Sequence, residues 1–403
     1  MSRKVINIIS PHYSSGFPGE YLRIETAAKT LSSSFRVNVF ALASKENNNK
    51  NYLVKTDEYL TIHYIQSHSY NKFPFIFRSI IQFYYSVRLL YISNSCPADL
   101  TIVSGQFLYL LLLFGVKCNS KKIIADTPDL AWCYLPASSL LQKVFNKRIT
   151  TKVFHSLQKF NAITVSNETE KKWLIDFGGM EESKINVISN GIDSEKFKQL
   201  SELKYTPHQN QFVISYIGDT TSRQKFYSMI NAVNEMKDVR FNIIGDGDEL
   251  KSLQNYVQEK KISNVFIHGK LRWSRVLPYY QTSDLLFISL NDSFNTSIPF
   301  NLYENLSTGL PVLYQGNGAA IGLLKKFKNT FIFPDDDVKE LEKVIWKIKR
   351  LSLSRSRTSS LIAGKFFIRE KLSIQFAELS ARLLNEKVLS EVCVEDVLMT
   401  LDV

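Results

Sequence analysis

The sequence predicts an α/β chain built from two doubly wound, Rossmann-like domains facing across a cleft. Two observations carry this. Short apolar runs alternate with longer amphipathic stretches along most of the 403 residues. Strands spaced by helix-length segments imply right-handed crossovers and parallel sheets covered on both faces. The rhythm also stops once, at a polar stretch containing Thr206-Pro207-His208-Gln209-Asn210, and then starts again. Two halves of one architecture place a ligand at the carboxyl ends of the strands.

In the first half the strand-like runs are Val5–Ser10, Arg36–Leu42, Leu60–Ile65, Leu100–Val103, Lys122–Ala125, Ala162–Val165 and Ile185–Ile188. They are Val- and Ile-rich, as strands buried on both faces must be. Helix-length segments lie between them at Tyr21–Ser33, Phe75–Ile92, Phe107–Val116, Ser138–Phe160 and Glu168–Phe177. The second half reads as strands Val213–Ile217, Arg240–Ile244, Val265–His268, Leu285–Ser289, Pro311–Tyr314 and Thr330–Phe333. Its helices are Tyr227–Met236, Asp248–Glu259, Trp273–Gln281, Phe300–Ser307, Ala320–Phe327 and Val338–Lys349. The expected divisions are an acceptor-side domain over residues 1–197, a linker at 198–211, a second domain over 212–371 and a helical tail at 372–403.

Composition narrows the function. The chain is 44% hydrophobic and 22% charged, an ordinary globular balance that excludes collagenous, coiled-coil and wholly disordered classes. Its formal net charge of +12 points to an anionic partner, whether nucleic acid, an acidic membrane face or a phosphorylated small molecule. Cys96, Cys118, Cys133 and Cys393 are scattered without a C-x-x-C pair, so neither a disulfide framework nor a zinc site is expected. No run reaches the ~18 apolar residues of a membrane-spanning helix. Met1-Ser2-Arg3-Lys4-Val5-Ile6 leads directly into a strand rather than a signal peptide. The expected location is cytoplasmic.

Several loops carry residue types suited to anionic ligands. Pro11-His12-Tyr13-Ser14-Ser15-Gly16-Phe17-Pro18-Gly19-Glu20 joins the first strand to the first helix, and its glycines allow backbone N–H groups to approach an anion. A plain surface turn is the ordinary alternative, and a lone histidine such as His12 is more often structural. Asn190-Gly191-Ile192-Asp193 is a turn, with Ser194 able to cap a short helix. Ile217-Gly218-Asp219-Thr220-Thr221-Ser222-Arg223-Gln224-Lys225 ends a strand in a loop with two cations. Gly245-Asp246-Gly247, Gly269-Lys270-Leu271 and Ser297-Ile298-Pro299-Phe300-Asn301-Leu302-Tyr303-Glu304 follow in order.

In this order and spacing the segments resemble the retaining glycosyltransferases of the GT-B fold, specifically glycosyltransferase family 4, from about Ile6 to about Lys349. The resemblance implies that Arg223, with Lys225 as its neighbour, holds a donor diphosphate, a task that suits a guanidinium. It implies that Glu304 accepts hydrogen bonds from the donor ribose, with a capping or solvated role as the alternative. It also implies that Gly269, Lys270 and Leu271 meet the base, and that Gly16 and Gly19 belong to the first-domain glycine loop. Two positions depart from the family pattern. A second glutamate, eight residues before Glu304, is here Thr296, and the lysine of a Pro-Ser-Lys-x-x-Glu variant is here Asn301. Sugar contacts then fall to Thr296, Ser297 and backbone N–H groups. Asp126 or Asp129, in Ala125-Asp126-Thr127-Pro128-Asp129, would serve as general base, and a strand-end capping role is the equal alternative.

The first domain also has two acid-free windows. Tyr59–Ala98 carries Lys72, Arg78 and Arg88 among aromatics, and Leu130–Asn167 carries Lys143, Lys147, Arg148, Lys152 and Lys159. Basic helices with aromatic flanks suit an anionic membrane surface, and ordinary helices with cations facing water are the alternative. There is no recognisable nucleic-acid module. The expectation is therefore a peripheral, metal-independent retaining glycosyltransferase of bacterial polysaccharide biosynthesis. Its donor would be a nucleotide-diphosphate sugar, its acceptor a lipid-linked or cell-surface glycan, and it would need no cofactor. A GT-B binding or scaffold subunit without transfer activity is the competing class.

Overall fold

Runs such as Val-Ile-Asn-Ile-Ile and Leu-Thr-Ile-Val-Ser bury nearly every side chain, so they sit inside sheets rather than at edges. A computed structural model of the protein describes residues 3–11, 13, 20–43, 52–67, 75–104, 118–130, 132, 140–208 and 210–387. The chain divides into two compact units, residues 1–190 with 369–403, and residues 191–368.

In the first unit the strands are β1 (Val5–Ile9), β2 (Arg36–Leu42), β3 (Tyr52–Lys55), β4 (Leu60–Ile65), β5 (Leu100–Ser104), β6 (Lys122–Thr127), β7 (Ala162–Val165) and β8 (Ile185–Val187). They form one sheet in the order β3-β4-β2-β1-β5-β6-β7-β8. All neighbours pair in parallel except β3, which runs antiparallel to β4. The helices are α1 (Glu20–Ser32), α2 (Phe75–Asn94), α3 (Leu140–Leu157) and α4 (Glu168–Asp176). Residues from α2, α3 and α4 share one core layer with Ile9, Val103 and Ile163. The other face is covered by α1, through Ile24, Ala28 and Leu31, together with Ala377, Leu379 and Ala381.

Those last residues belong to α13 (Arg369–Leu384), which returns to the first unit. The stretch expected as a tail is thus a packed helix up to Leu384, and Thr30 and Ser373 hydroxyls meet at 2.5 Å across it and α1.

The second unit has the strands β9 (Phe212–Ile217), β10 (Val239–Ile244), β11 (Val265–Gly269), β12 (Leu285–Ser289), β13 (Val312–Gln315) and β14 (Thr330–Phe333). They form an all-parallel sheet in the order β11-β10-β9-β12-β13-β14. The helices are α5 (Ser194–Ser201), α6 (Phe226–Asn234), α7 (Leu250–Glu259), α8 (Trp273–Thr282), α9 (Phe300–Thr308), α10 (Ala319–Leu324), α11 (Val338–Arg350) and α12 (Arg357–Phe366). Order reverses between β9 and β12, which is the switch point where doubly wound sheets bind ligands.

The second unit begins earlier than the polar stretch. Asp193 caps α5 by accepting from the Glu195 and Lys196 amides, and Phe197 and Leu200 enter the core of this unit. Arg355 donates to the Leu200, Ser201, Leu203 and Thr308 carbonyls, so the end of α5 is fixed by side-chain bonds. The expected linker at 198–211 therefore opens with helix.

Candidate functional site

Two glycine-bearing loops interlock beyond the ends of β9 and β10. The Gly218 amide donates to the Ile244 carbonyl, the Thr220 amide to Asp246, and the Glu249 amide back to Thr220. A Cβ at Gly245 would collide with the Gly218 carbonyl oxygen, and one at Gly247 with the Thr220 carbonyl. Gly245-Asp246-Gly247 is thus required for backbone proximity. Gly269 ends β11 with φ of 68°, a left-handed conformation suited to glycine, and sets the exposed Lys270 just beyond the strand.

Charges gather at this edge. Burial pushes the Asp219 carboxyl above the usual carboxylate range; Lys270 and Arg223 oppose that shift, and Asp246 and Glu304 reinforce it. Four charged side chains, from the loops after β9, β10 and β11 and from α9, therefore act on Asp219 here. At the switch point the Asn291 amide donates to the Arg223 carbonyl at 2.6 Å. The Arg223 guanidinium lies 4.8 Å from the centroid of the Phe294 ring. Lys225 bonds through its amide to the Ser289 hydroxyl at 2.9 Å. Its side chain is 7% exposed, with Nζ 3.2 Å from Asp336 and 3.6 Å from Asp292. Lys225 thus has two carboxylate partners.

Helix α9 starts after Pro299, and its second turn carries Glu304. Lys196 Nζ is 2.8 Å from Glu304 Oε1 and 4.5 Å from the centroid of the Trp273 ring. The Tyr280 hydroxyl donates to Glu304 Oε2 at 3.4 Å. The carboxylate is therefore oriented from two sides while part of it stays open. Asn301, where the family variant has lysine, donates to the Ile217 carbonyl at 2.9 Å and lies against Gly218. It ties α9 to the end of β9. Thr296 is buried, and Leu271 packs at the edge of the core of this unit. The Ser297 amide donates to the Phe294 carbonyl at 3.0 Å.

In the first unit the two candidate acids separate. Asp126 is 1% exposed. Its Oδ1 accepts from Arg23 Nη2 at 3.0 Å and Thr164 Oγ1 at 2.6 Å, and its Oδ2 from Ser104 Oγ at 2.7 Å. Arg23 also donates to the Ile188 and Ser189 carbonyls. Asp126 thus serves a buried node that fixes β6 to α1, and a general-base role does not fit a carboxylate filled by three donors. Asp129 is half-buried, and its charge acts on Glu170 of α4. Gly16, Gly19 and His12 lie outside the described residues.

Sequence reasoning passed over Asp219, Lys196 and Tyr280. Asp219 shares its loop with Arg223 and Lys225, whose charges carry the stronger local signal. Lys196 meets Glu304 across 108 positions, which no local spacing reveals.

Solved structures share this architecture. Sucrose-phosphate synthase from Thermosynechococcus elongatus superposes with a TM-score of 0.77 at 13% identity, covering 95% of this chain and 100% of that one. HepE of Anabaena, solved in complex with UDP-glucose, gives 0.68 at 14% identity, with 94% and 100% covered. WaaG, a glycosyltransferase involved in lipopolysaccharide biosynthesis, gives 0.67 at 12% identity, with 93% and 99% covered. The fold is GT-B. Within this GT-B chain, residues 198–360 match the family model described as "Glycosyl transferases group 1". That stretch holds every charged residue of the switch-point cluster, and Lys196 lies just before it. No curated protein sequence matches the chain. The family match and the fold together support a glycosyltransferase of the GT-B type.

Proposed function

We propose that the protein is a retaining glycosyltransferase that moves a sugar from a nucleotide-diphosphate sugar to a lipid-linked or cell-surface polysaccharide acceptor. The observation that carries this reading is the cluster at the switch point of the second sheet. There a diphosphate would meet Arg223, Lys270 and the backbone amides at the start of α9, while Glu304 is presented on the next turn. HepE was solved with UDP-glucose and WaaG is involved in lipopolysaccharide biosynthesis, which favours the same donor and acceptor classes.

In the proposed step the bond between the sugar anomeric carbon and the diphosphate oxygen breaks, and a bond to the acceptor oxygen forms. The acceptor hydroxyl proton passes to the departing phosphate oxygen. The protein's contribution is electrostatic: Arg223 and Lys270 offset the charge that grows on the leaving diphosphate. Glu304 accepts the ribose hydroxyls and so fixes the nucleoside. Thr296, Ser297 and backbone groups supply neutral contacts to the sugar. With cations in that place, we propose that the reaction proceeds without a metal ion.

We assign an anionic membrane as a further partner, through the exposed Lys143, Lys147, Arg148 and Lys152 of α3, a helix with no acidic residue. Loss of catalysis in a binding subunit is the second reading, favoured by Thr296 and Asn301 at the two departing positions. Incubating the purified protein with labelled nucleotide-diphosphate sugars and membrane lipid extract separates them. Transfer, or slow release of free sugar, supports the enzyme. Donor binding with neither would favour the subunit.

A further inference from the structure

Helix α2 is apolar on two opposite sides. Tyr85, Leu89 and Leu90 enter the core of the first unit. Phe77, Ile80, Tyr84, Val87 and Tyr91 recur at intervals of three and four residues, and all are between 43% and 76% exposed. At 100° per residue they fall within an arc of about 80°, facing away from the buried side. A helix apolar all round is ordinarily enclosed, in a core or in lipid. Here five large apolar side chains form one outward stripe on a helix of 20 residues.

The charges beside this stripe are of one sign. Helix α2 carries Arg78 and Arg88 and no carboxylate, and its surrounding window Tyr59–Ala98 has none either. Helix α3 packs into the same core layer and presents exposed Lys143, Lys147, Arg148 and Lys152 beside Leu140 and Val144, which are 81% and 53% exposed. Two copies of α2 packed stripe to stripe would bring Arg88, about 20° from the edge of the stripe, towards its twin with no acid on either helix to receive it. A surface offering apolar depth beneath negative headgroups answers both features.

We propose that α2 is an interfacial helix that inserts its Phe77–Tyr91 stripe into the acyl boundary of an anionic bilayer, with the α3 cations resting on the headgroups. This rests on the membrane partner proposed above and adds insertion to electrostatic attraction. A seated α2 would hold the first unit against the surface in one orientation.

Flotation with vesicles of phosphatidylcholine alone, or mixed with phosphatidylglycerol, tests this on the full-length protein. Wild type should bind the mixed vesicles and keep a residual fraction bound at about 0.5 M salt, where headgroup attraction is screened. The triple variant Ile80→Gln, Val87→Gln, Tyr91→Gln should lose at least about tenfold in partitioning at every salt concentration, because the apolar contacts are gone. The α3 variant Lys143→Gln, Lys147→Gln, Arg148→Gln, Lys152→Gln should lose binding mainly at low salt. Far-UV circular dichroism confirms that both variants are folded, and donor release in solution reports the transferase site separately. Equal partitioning of the triple variant and wild type would overturn insertion while leaving the electrostatic partner standing. A wild type that ignores vesicles, and forms dimers that the triple variant breaks, would overturn it in favour of self-association.

Discussion

Replacing Glu304 with glutamine separates the binding role of this carboxylate from its structural one. The side chain keeps its size and can still accept from Tyr280, but it loses the charge facing Lys196 at 2.8 Å. That ion pair is partly exposed, at 34% for Lys196 and 21% for Glu304, so its loss should cost the fold no more than about 1 kcal/mol. The ribose contacts weigh more. A charged acceptor improves each hydrogen bond by about 1 kcal/mol over a neutral one, so two ribose hydroxyls amount to about 2 kcal/mol, or about 30-fold in Kd. Calorimetric titration with the tightest-binding nucleoside diphosphate of a panel gives the first quantity, and urea unfolding followed by fluorescence gives the second. An affinity within threefold of wild type would refute the ribose assignment. A loss of more than about 3 kcal/mol in stability would show that the carboxylate chiefly holds the fold.

Three further outcomes follow from the same structure. Asp126→Asn leaves the buried Arg23 guanidinium without its counter-charge and should cost about 3–5 kcal/mol in denaturant unfolding; a cost below about 1 kcal/mol would remove the node from the account. Glu170 is fully buried, and burial followed by the Asp129 charge pushes its carboxyl well above the usual range. Between its unfolded and folded pKa the folded chain holds a proton that the unfolded chain has lost, so stability falls as pH rises through that window. Glu170→Gln should therefore gain on wild type from about pH 4 upward, by at most about 1.4 kcal/mol per pH unit, and a pH-independent difference in melting would contradict this. Transfer should survive EDTA; activity that vanishes and returns with magnesium or manganese would require a different charge partner for the diphosphate.

Much of the fold was legible because its strands are buried on both faces. Val213–Ile217 and Leu285–Ser289 were identified within a residue of their ends, since few other segments concentrate Val, Ile and Leu so tightly. Strand β3 was not: Tyr52–Lys55 is a four-residue antiparallel edge strand without that signature. Helix α5 was legible only in part. Ser194 marks the start of a short helix, but its end from Lys198 reads as linker, and only the burial of Phe197 and Leu200 makes it part of the second unit. Glu304 could be placed on a helix after a loop from sequence alone, but its partners could not. Lys196 and Tyr280 reach it through tertiary packing, and Asp219 acquires its character from desolvation and from four charges, three of them outside its own loop. Asp126 reads in sequence as a general base or a strand-end cap, and only its long-range partners Arg23, Ser104 and Thr164 make it a buried node.

The central claim is that the second unit holds a nucleotide-diphosphate sugar at the switch point between β9 and β12. A thermal-shift panel of nucleotide-diphosphate sugars, run on wild type and on Arg223→Ala, tests it most directly. A donor at 100 times its Kd should stabilise the folded protein by about 2.7 kcal/mol and raise its melting temperature in a saturable way. At least one sugar nucleotide should do so with wild type, and the shift should shrink in Arg223→Ala, whose guanidinium would no longer face the diphosphate. If no nucleotide sugar moves the melting temperature, or if Arg223→Ala responds as wild type does, the diphosphate does not sit where the charge cluster places it.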